Sequence, residues 1–421
     1  GYGSHSISVE EYKRPKFEVK FEPVKESYKV NEVVKVKGFA KAYAGFNIDN
    51  ADLTYRVIRT VSFPFWWYFW RSYNPYSAQM EITHGYSKTN EKGEFEIEFQ
   101  AIPDLKIPED DDPTFTFQII VDVTDINGET HSAQQYVRVG YSVLRLTLNI
   151  PDKINKDQGP FEYMINSVNL NGQFEQAEGK AKIYKLKTPD KLFRKKRWQK
   201  TDKFIFNQDE YYSLFPYDIY KDEYTYYNWE KEEKVLEKDF NTEEDNVFKI
   251  KKLSKWEQGV YVVELLSKDK YGKEVKDVRY FTLFSEKKKN LPYKMFNWFS
   301  VLKGGGEPGD NAEILIGSSD TGVNILYEIE HDNQILYREW FTLNNRQKLI
   351  KIPIKEKYRG NFVVHFTFVK QNRVYYNTQL INVPWTNKNL NITFETFRDK
   401  LLPGENEEWR IKIKDNMGER V

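Results

Sequence analysis

No cysteine occurs in the 421 residues. That excludes disulfides, thiolate metal sites and cysteine nucleophiles, although it says little about compartment, because many exported proteins also lack cysteine. Neither sign of charge is in excess: 64 Lys and Arg meet 63 Asp and Glu, a net charge of +1. No overall field steers such a chain to nucleic acid or to an anionic membrane, and no nucleic-acid partner is expected. Histidine is scarce, and His5, His84, His131, His331 and His365 show no pair at metal-ligand spacing, so no metal site is expected. His365, between Val364 and Phe366, reads as a strand histidine that is either satisfied or exposed. No apolar run approaches the roughly 18 to 20 residues that cross a bilayer. The start, Gly1-Tyr2-Gly3-Ser4-His5, lacks the basic and apolar regions of a signal peptide, so an export signal is expected outside this chain. Catalytic patterns are missing as well. There is no Gly-x-Ser-x-Gly elbow, and none of the many acids sits in a recognisable glycosidase context. The chain reads as no enzyme, with no catalytic residue and no cofactor.

What is plentiful is aromatic: 29 Tyr and 29 Phe, with Trp bringing the share to 16%. Such side chains fit the half-buried, pleated surface of a sheet. Apolar residues alternate with polar ones in Phe17-Glu18-Val19-Lys20-Phe21, Phe95-Glu96-Ile97-Glu98-Phe99, Leu144-Arg145-Leu146-Thr147-Leu148 and Arg410-Ile411-Lys412-Ile413-Lys414. Period two puts one face of each strand on a core and the other in water, which is the pattern of antiparallel sheets. The fold class is therefore all-β, a tandem array of antiparallel β-sandwich domains.

An order of events repeats along the chain. A strand, a tight turn and an answering strand occur in Phe117 to Glu129, around Asp125-Ile126-Asn127-Gly128. They recur in Gly259 to Glu274, around Asp269-Lys270-Tyr271-Gly272, and in Gly360 to Val374, around Lys370-Gln371-Asn372-Arg373. The first two turns end in Gly, which supplies the positive φ a hairpin needs, and the third does not. Each is followed by a closing stretch, Tyr136 to Val139, Arg279 to Leu283 or Gln379 to Val383, after which a new alternating strand opens. These ends divide the chain into 1–9, the end of a preceding domain; 10–140, a sandwich with an aromatic insert; 141–288, a sandwich with a long excursion over 185–246; 289–384, a third sandwich; and 385–421, the start of a further, truncated domain. Within the excursion, Glu230 to Lys238 is rich in helix formers and predicts one short helix.

Several motifs resolve to plain structure. Asp125-x-Asn127-Gly128 resembles half a calcium loop, but Val123 and Gln134 stand where the first and last ligands are needed, so it is a hairpin turn. Glu109-Asp110-Asp111-Asp112-Pro113 reads as a solvated loop, and Lys303-Gly304-Gly305-Gly306-Glu307, which lacks a phosphate-cradling ending, as a flexible interstrand turn. Arg194-Lys195-Lys196-Arg197-Trp198 joins basic and aromatic character, and the acid-rich Glu230 to Asp245 that follows predicts charge-complementary packing between the two.

Phe63-Pro64-Phe65-Trp66-Trp67-Tyr68-Phe69-Trp70 holds seven aromatics in eight residues, too dense for a strand with one wet face. In water such a patch invites aggregation, so Phe65, Trp66, Trp67, Phe69 and Trp70 are expected to contact a neighbouring domain or, second in preference, a partner.

The junction Val9-Glu10-Glu11-Tyr12-Lys13-Arg14-Pro15-Lys16-Phe17-Glu18-Val19 resembles the opening of a macroglobulin domain in bacterial alpha-2-macroglobulin-like proteins. The resemblance continues through Ile82-Thr83-His84-Gly85, Thr89-Asn90-Glu91-Lys92-Gly93-Glu94-Phe95, and Gly259-Val260-Tyr261 with Asp269 and Gly272. It resumes at Leu402-Pro403-Gly404-Glu405 with Trp409. The part from about Ser300 to Val421 resembles the region that contains or adjoins the family's bait segment. The resemblance implies macroglobulin domains of the immunoglobulin and fibronectin-III-like kind. It also implies an exported inhibitor of the periplasm or cell envelope that traps proteases: a bait segment is cut, the scaffold rearranges, and the protease is enclosed or covalently attached. The partners implied are proteases, acting on the longer parent, and the neighbouring domains of the same chain; a lipid anchor would lie in the missing N-terminal region. The family's thioester needs a Cys-x-x-Gln type sequence, so it cannot lie here and is expected further toward the C-terminus of the parent. No long, low-complexity stretch stands out as a bait. The alternative is an adhesive or glycan-binding array of immunoglobulin-like modules, with Trp66, Trp67 and Trp70 as a sugar-stacking platform.

Overall fold

The computed structural model describes residues 16–63, 79–194, 196–197, 203–396, 406 and 408–414. Strand follows strand through all of them, and one order of pairing occurs three times.

The first body is built from β1 (Phe17–Phe21), β2 (Tyr28–Lys29), β3 (Val33–Ala42), β4 (Asp52–Ser62), β5 (Met80–Lys88), β6 (Glu94–Gln100), β7 (Thr114–Thr124) and β8 (Thr130–Gly140). One sheet runs β1-β3-β6 and the other β2-β8-β7-β4-β5. β7 shows why the sheets face each other: Phe115, Phe117, Ile119, Val121 and Val123 are all fully buried while the residues between them are not. With Val34, Val36, Phe95, Ile97 and Phe99 from the facing sheet they form one core.

The second body repeats this with β9 (Leu144–Leu148), β10 (Lys153–Asn155), β11 (Glu162–Asn169), β12 (Glu178–Leu186), β13 (Lys231–Asn241), β14 (Val247–Lys249), β15 (Gly259–Lys268) and β16 (Glu274–Phe284). Its sheets are β14-β11-β9 and β10-β16-β15-β12-β13. The third has β17 (Trp298–Lys303), β18 (Asn311–Ser318), β19 (Val323–His331), β20 (Gln334–Leu343), β21 (Arg346–Pro353), β22 (Phe362–Lys370) and β23 (Arg373–Ile381), in sheets β17-β18-β21 and β20-β19-β22-β23. A last hairpin joins β24 (Asn391–Thr396) to β25 (Arg410–Lys414). There Ile411 and Ile413 stay exposed although they alternate, because no second sheet faces this pair among the described residues.

Within the sheets the pairing is antiparallel except at one edge of each large one; a further parallel bridge, Arg194 to Asp218, lies in the long insert. β2 lies parallel to β8, β10 parallel to β16, and Gly305 makes a parallel bridge to Asn382 just past β23. The glycine run at 304–306 is thus the third copy of a short parallel edge, and the expectation of a flexible turn is corrected. Gly306 N donates to Asn382 O at 3.0 Å and Asn382 N to Gly304 O at 3.0 Å. A Cβ on Gly305 would stand 2.5 Å from Asn382 O, so the approach requires a residue without a side chain.

The two inserts also share one position. Residues 63–79 separate β4 from β5, and 187–230 separate β12 from β13, whereas the equivalent strands β19 and β20 are joined by Asp332 and Asn333 alone, at φ of 50° and 59°. The predicted helix over Glu230 to Lys238 is instead most of β13, paired to β12 from Glu178↔Asn241 to Leu186↔Lys231. Lys, Glu and Leu favour a helix only weakly, and the ladder offered by a long neighbouring strand outweighs that preference. The α-helix of the insert, α1 (Gln208–Leu214), is closed by a capping box between Asn207 and Glu210. The insert covers the outer face of its sheet, burying Leu186, Val260 and Val262 beside Trp229, Tyr280 and Tyr293. β15 is accordingly buried on both faces, and its run Gly-Val-Tyr-Val-Val-Glu-Leu-Leu is nearly continuous instead of alternating.

Candidate functional site

Four turns are built alike. Asn90, Asp125, Asn169 and Asp269 each accept with one side-chain oxygen from the backbone N–H two and four residues on, at 2.8 to 3.0 Å. Gly93, Gly128, Gly172 and Gly272 follow three residues later at φ of 73°, 79°, 83° and 83°. The side chain replaces a backbone acceptor and Gly takes the left-handed position. The third predicted hairpin lacks Gly and solves the turn differently: Gln371 and Asn372 themselves adopt φ of 47° and 56°.

Two of these turns carry the junction between the first and second bodies. Asn169, 2% exposed, spends its oxygen on its own turn and its Nδ2 on Lys25 O at 3.1 Å in the first body. Asn171 accepts from Arg138 N at 2.7 Å and donates to Glu26 O at 3.2 Å. Asp269 uses its second oxygen to accept from Val143 N, in the linker, at 3.2 Å. At the tip, Tyr271 donates to Glu32 at 2.7 Å and Lys270 to Ser27 O at 3.3 Å. The acidic run expected to be a solvated loop belongs here too. Residues Glu109–Asp111 form a 3-10 turn, Lys273 pairs with Glu109, and Arg145 reaches Asp112 at 3.2 Å. Burial nevertheless pushes the Asp112 carboxyl above its ordinary range, against the pull of Arg145 and Lys273.

The next junction uses the equivalent hairpin tip. Arg194, from the long insert, clasps Asp218 through Nε and through Nη2 at 3.0 Å, and donates from Nη1 to Gln371 O at 2.6 Å. Asp218 is 1% exposed. The basic cluster therefore does pack locally, but on Asp218 and on Tyr220 O through Lys196, not on Glu230 to Asp245, which β13 carries away; Lys195 and Trp198 lie outside the described residues. Gln347 donates to Ser285 O and Lys288 O, both at 2.8 Å, and Phe284, Leu291, Trp298 and Leu315 form a small core of their own across the linker. After the third body, Arg359 holds the exit, donating to Pro384 O at 2.6 Å while pairing with Glu356 and Glu307. At the first two junctions the last hairpin of one body reaches back to the body before it.

The predicted contact residues Phe65, Trp66, Trp67, Phe69 and Trp70 lie outside the described residues. At the foot of their segment Arg59, 4% exposed, donates to Ile102 O at 3.0 Å and pairs with Asp104 at 3.4 Å. His365 is satisfied on both sides, by Thr378 at 3.0 Å and Glu330 at 2.9 Å. Among the described residues no three His, Asp or Glu are grouped to hold a metal, and no helix is long and apolar enough to cross a membrane. The junction residues were open to sequence reasoning only in part. The Asn169 and Asp269 turns announce themselves by Asx-x-x-Gly, but nothing near Asp218 marks it as the partner of Arg194.

The recurring order of strands defines a tandem β-sandwich protein in which adjoining bodies are locked through turn and linker contacts. Residues 299–418 match the family model of the alpha-2-macroglobulin bait region domain, and over that part the chain is similar to alpha-2-macroglobulins. No curated protein matches in sequence. Similar solved structures include native E. coli alpha-2-macroglobulin, at 12% identity and TM-score 0.32 over 98% of this chain. Trypsin-activated E. coli alpha-2-macroglobulin gives 11% and 0.38 over 96%, and a mutant of Salmonella alpha-2-macroglobulin 10% and 0.33 over 97%. This chain spans 26% of the length of each.

Proposed function

We propose that the chain is a non-catalytic scaffold segment of a bacterial alpha-2-macroglobulin-like inhibitor that traps proteases, exported to the periplasm or cell envelope. The observation that carries this reading is the bait-region match over 299–418, which spans the third sandwich and the hairpin beyond it. In this reading 10–140, 141–288 and 289–384 are macroglobulin domains, 1–9 ends a preceding one and 385–421 opens the next. Bait cleavage in the parent moves them as bodies, because linkers pinned by Asp269 and Arg359 pass on a displacement instead of absorbing it. Phe65, Trp66, Trp67, Phe69 and Trp70 serve as an interdomain contact. What supports that role is their place between β4 and β5, equivalent to that of the 187–230 insert between β12 and β13, which packs on the following body through Arg194.

The test is limited proteolysis of the full-length parent with trypsin, with small-angle scattering before and after. A single preferred cut accompanied by compaction is expected; a cut at one loop that leaves the scattering curve unchanged removes the proposal.

A further inference from the structure

Between the second and third bodies lies a cavity of about 570 Å3 whose lining is unlike the rest of the surface. The chain as a whole balances its charges, yet four cations, Lys153, Lys196, Arg197 and Arg373, line this space, and no carboxylate does among the described residues. None of the four makes an ion pair with a described residue. Much of the remaining lining is aromatic, with Phe296, Trp298 and Tyr375 among it. Phe296 stacks on Tyr375 at 5.9 Å, Tyr375 on Phe368 at 4.8 Å, and Lys153 Nζ sits 5.0 Å above Trp298 while donating to Phe299 O at 2.5 Å. Asn297 and Asn377 hold each other by a reciprocal amide pair at 2.9 and 3.0 Å.

The lining is also short of acceptors. Five buried side-chain nitrogen or oxygen atoms lack a hydrogen-bond partner among the described residues, and three of them, Trp298 Nε1, Arg373 Nε and Tyr375 Oη, belong to residues of this one cavity. Burial pushes Tyr375 up to about 12, against Arg373 and Arg194, so its hydroxyl keeps its proton at neutral pH. Those three atoms are closed to solvent and do not open onto the cavity; it is the charge of the four lining cations, with no carboxylate among the described lining residues to answer it, that calls for an anionic ligand, and the rings beside them that suit a flat one.

We infer that this cavity is a binding site for a small ring-bearing carboxylate, its ring lying on the aromatic wall and its carboxylate held by Arg373, with Arg197 and Lys153 beside it. The volume falls in the range of small-molecule sites, and the planar guanidinium matches a carboxylate with two parallel donors. Two sources share this chemistry, a uronic acid sugar and an aromatic acid. Calorimetric titration of the 421-residue chain with glucuronate and with benzoate, each beside its uncharged counterpart, glucose or benzyl alcohol, separates them. At least one acid is expected to bind about tenfold more tightly than its neutral counterpart, and Arg373→Gln to weaken it by a similar factor. Arg197→Gln, at an exposed position, weakens it severalfold and stands in should the Arg373 variant misfold. No heat with either acid up to about 10 mM, equal binding of acid and neutral counterpart, or unchanged affinity in the folded variants overturns the inference.

Discussion

Asn169 shows how much one side chain does here. Its oxygen closes a turn of the second body and its nitrogen binds the first, so turn and junction are a single hydrogen-bonded unit. Asn169→Ala leaves two backbone N–H groups and Lys25 O without this partner, and a loss of about 2 to 3 kcal/mol is expected, read as a lowered denaturant midpoint. Glu264 behaves in a second way. Burial tends to raise its pKa, but bonds from Lys231 at 2.8 Å and Lys276 at 2.7 Å overcome this and hold it below the ordinary glutamate range. A carboxyl depressed by folding adds stability above its unfolded pKa and loses it as pH falls through the folded value. Glu264→Gln should therefore cost about 1 kcal/mol at neutral pH and nothing in strong acid, the difference closing below the usual glutamate pKa in paired urea titrations across pH.

At the scale of elements, what could be read from the residues and what could not divides on physical lines. Strands whose two faces meet different media, such as β6 and β7, are legible because alternation is imposed by that difference. β13 is not: both its faces are largely polar, so its composition, Lys-Glu-Glu-Lys-Val-Leu-Glu-Lys, reports helix preference while its place is set by β12. β15 is hidden in the opposite way, since the insert buries its second face. Acidic residues 109–112 and glycines 304–306 looked like free loops because the groups that fix them, Arg145, Lys273 and Asn382, lie far along the chain. Of the candidate site, the hairpin tips were foreseen, their backward docking was not. Gly305→Ala tests the parallel edge: its methyl meets Asn382 O, and a cost of about 1 to 3 kcal/mol is expected from thermal unfolding, with faster amide exchange at Asn382.

Over the whole molecule the junctions differ in kind. The first is mostly polar, with Lys273 on Glu109, Arg145 on Asp112 and Tyr271 on Glu32, whereas the second adds a small apolar core around Trp298. Charge reversal should thus open the first and spare the second. Arg145→Glu with Lys273→Glu places like charges opposite Asp112 and Glu109; a larger radius of gyration is expected by small-angle scattering, with unchanged circular dichroism and partial recovery in high salt. Unchanged dimensions would assign the junction to Asn169 and Asp269 instead.

The short parallel edge has a consequence for crowded solutions. Each large sheet ends on one side in a strand, β8, β16 or β23, whose last residues, or the residue just past them, are paired with a short segment of its own body. On the opposite side, β13 offers a newcomer a row rich in Lys and Glu, and β5 and β20 carry His84, Lys88, Arg338 and Glu339. A row of such modules presents many rims and few that another chain can extend, which is how sheet proteins stay separate at high concentration. Removing the plug at Gly305 would lengthen the margin that β23 leaves open, and filament growth seeded at Asn382, absent from the parent chain, would be its visible trace.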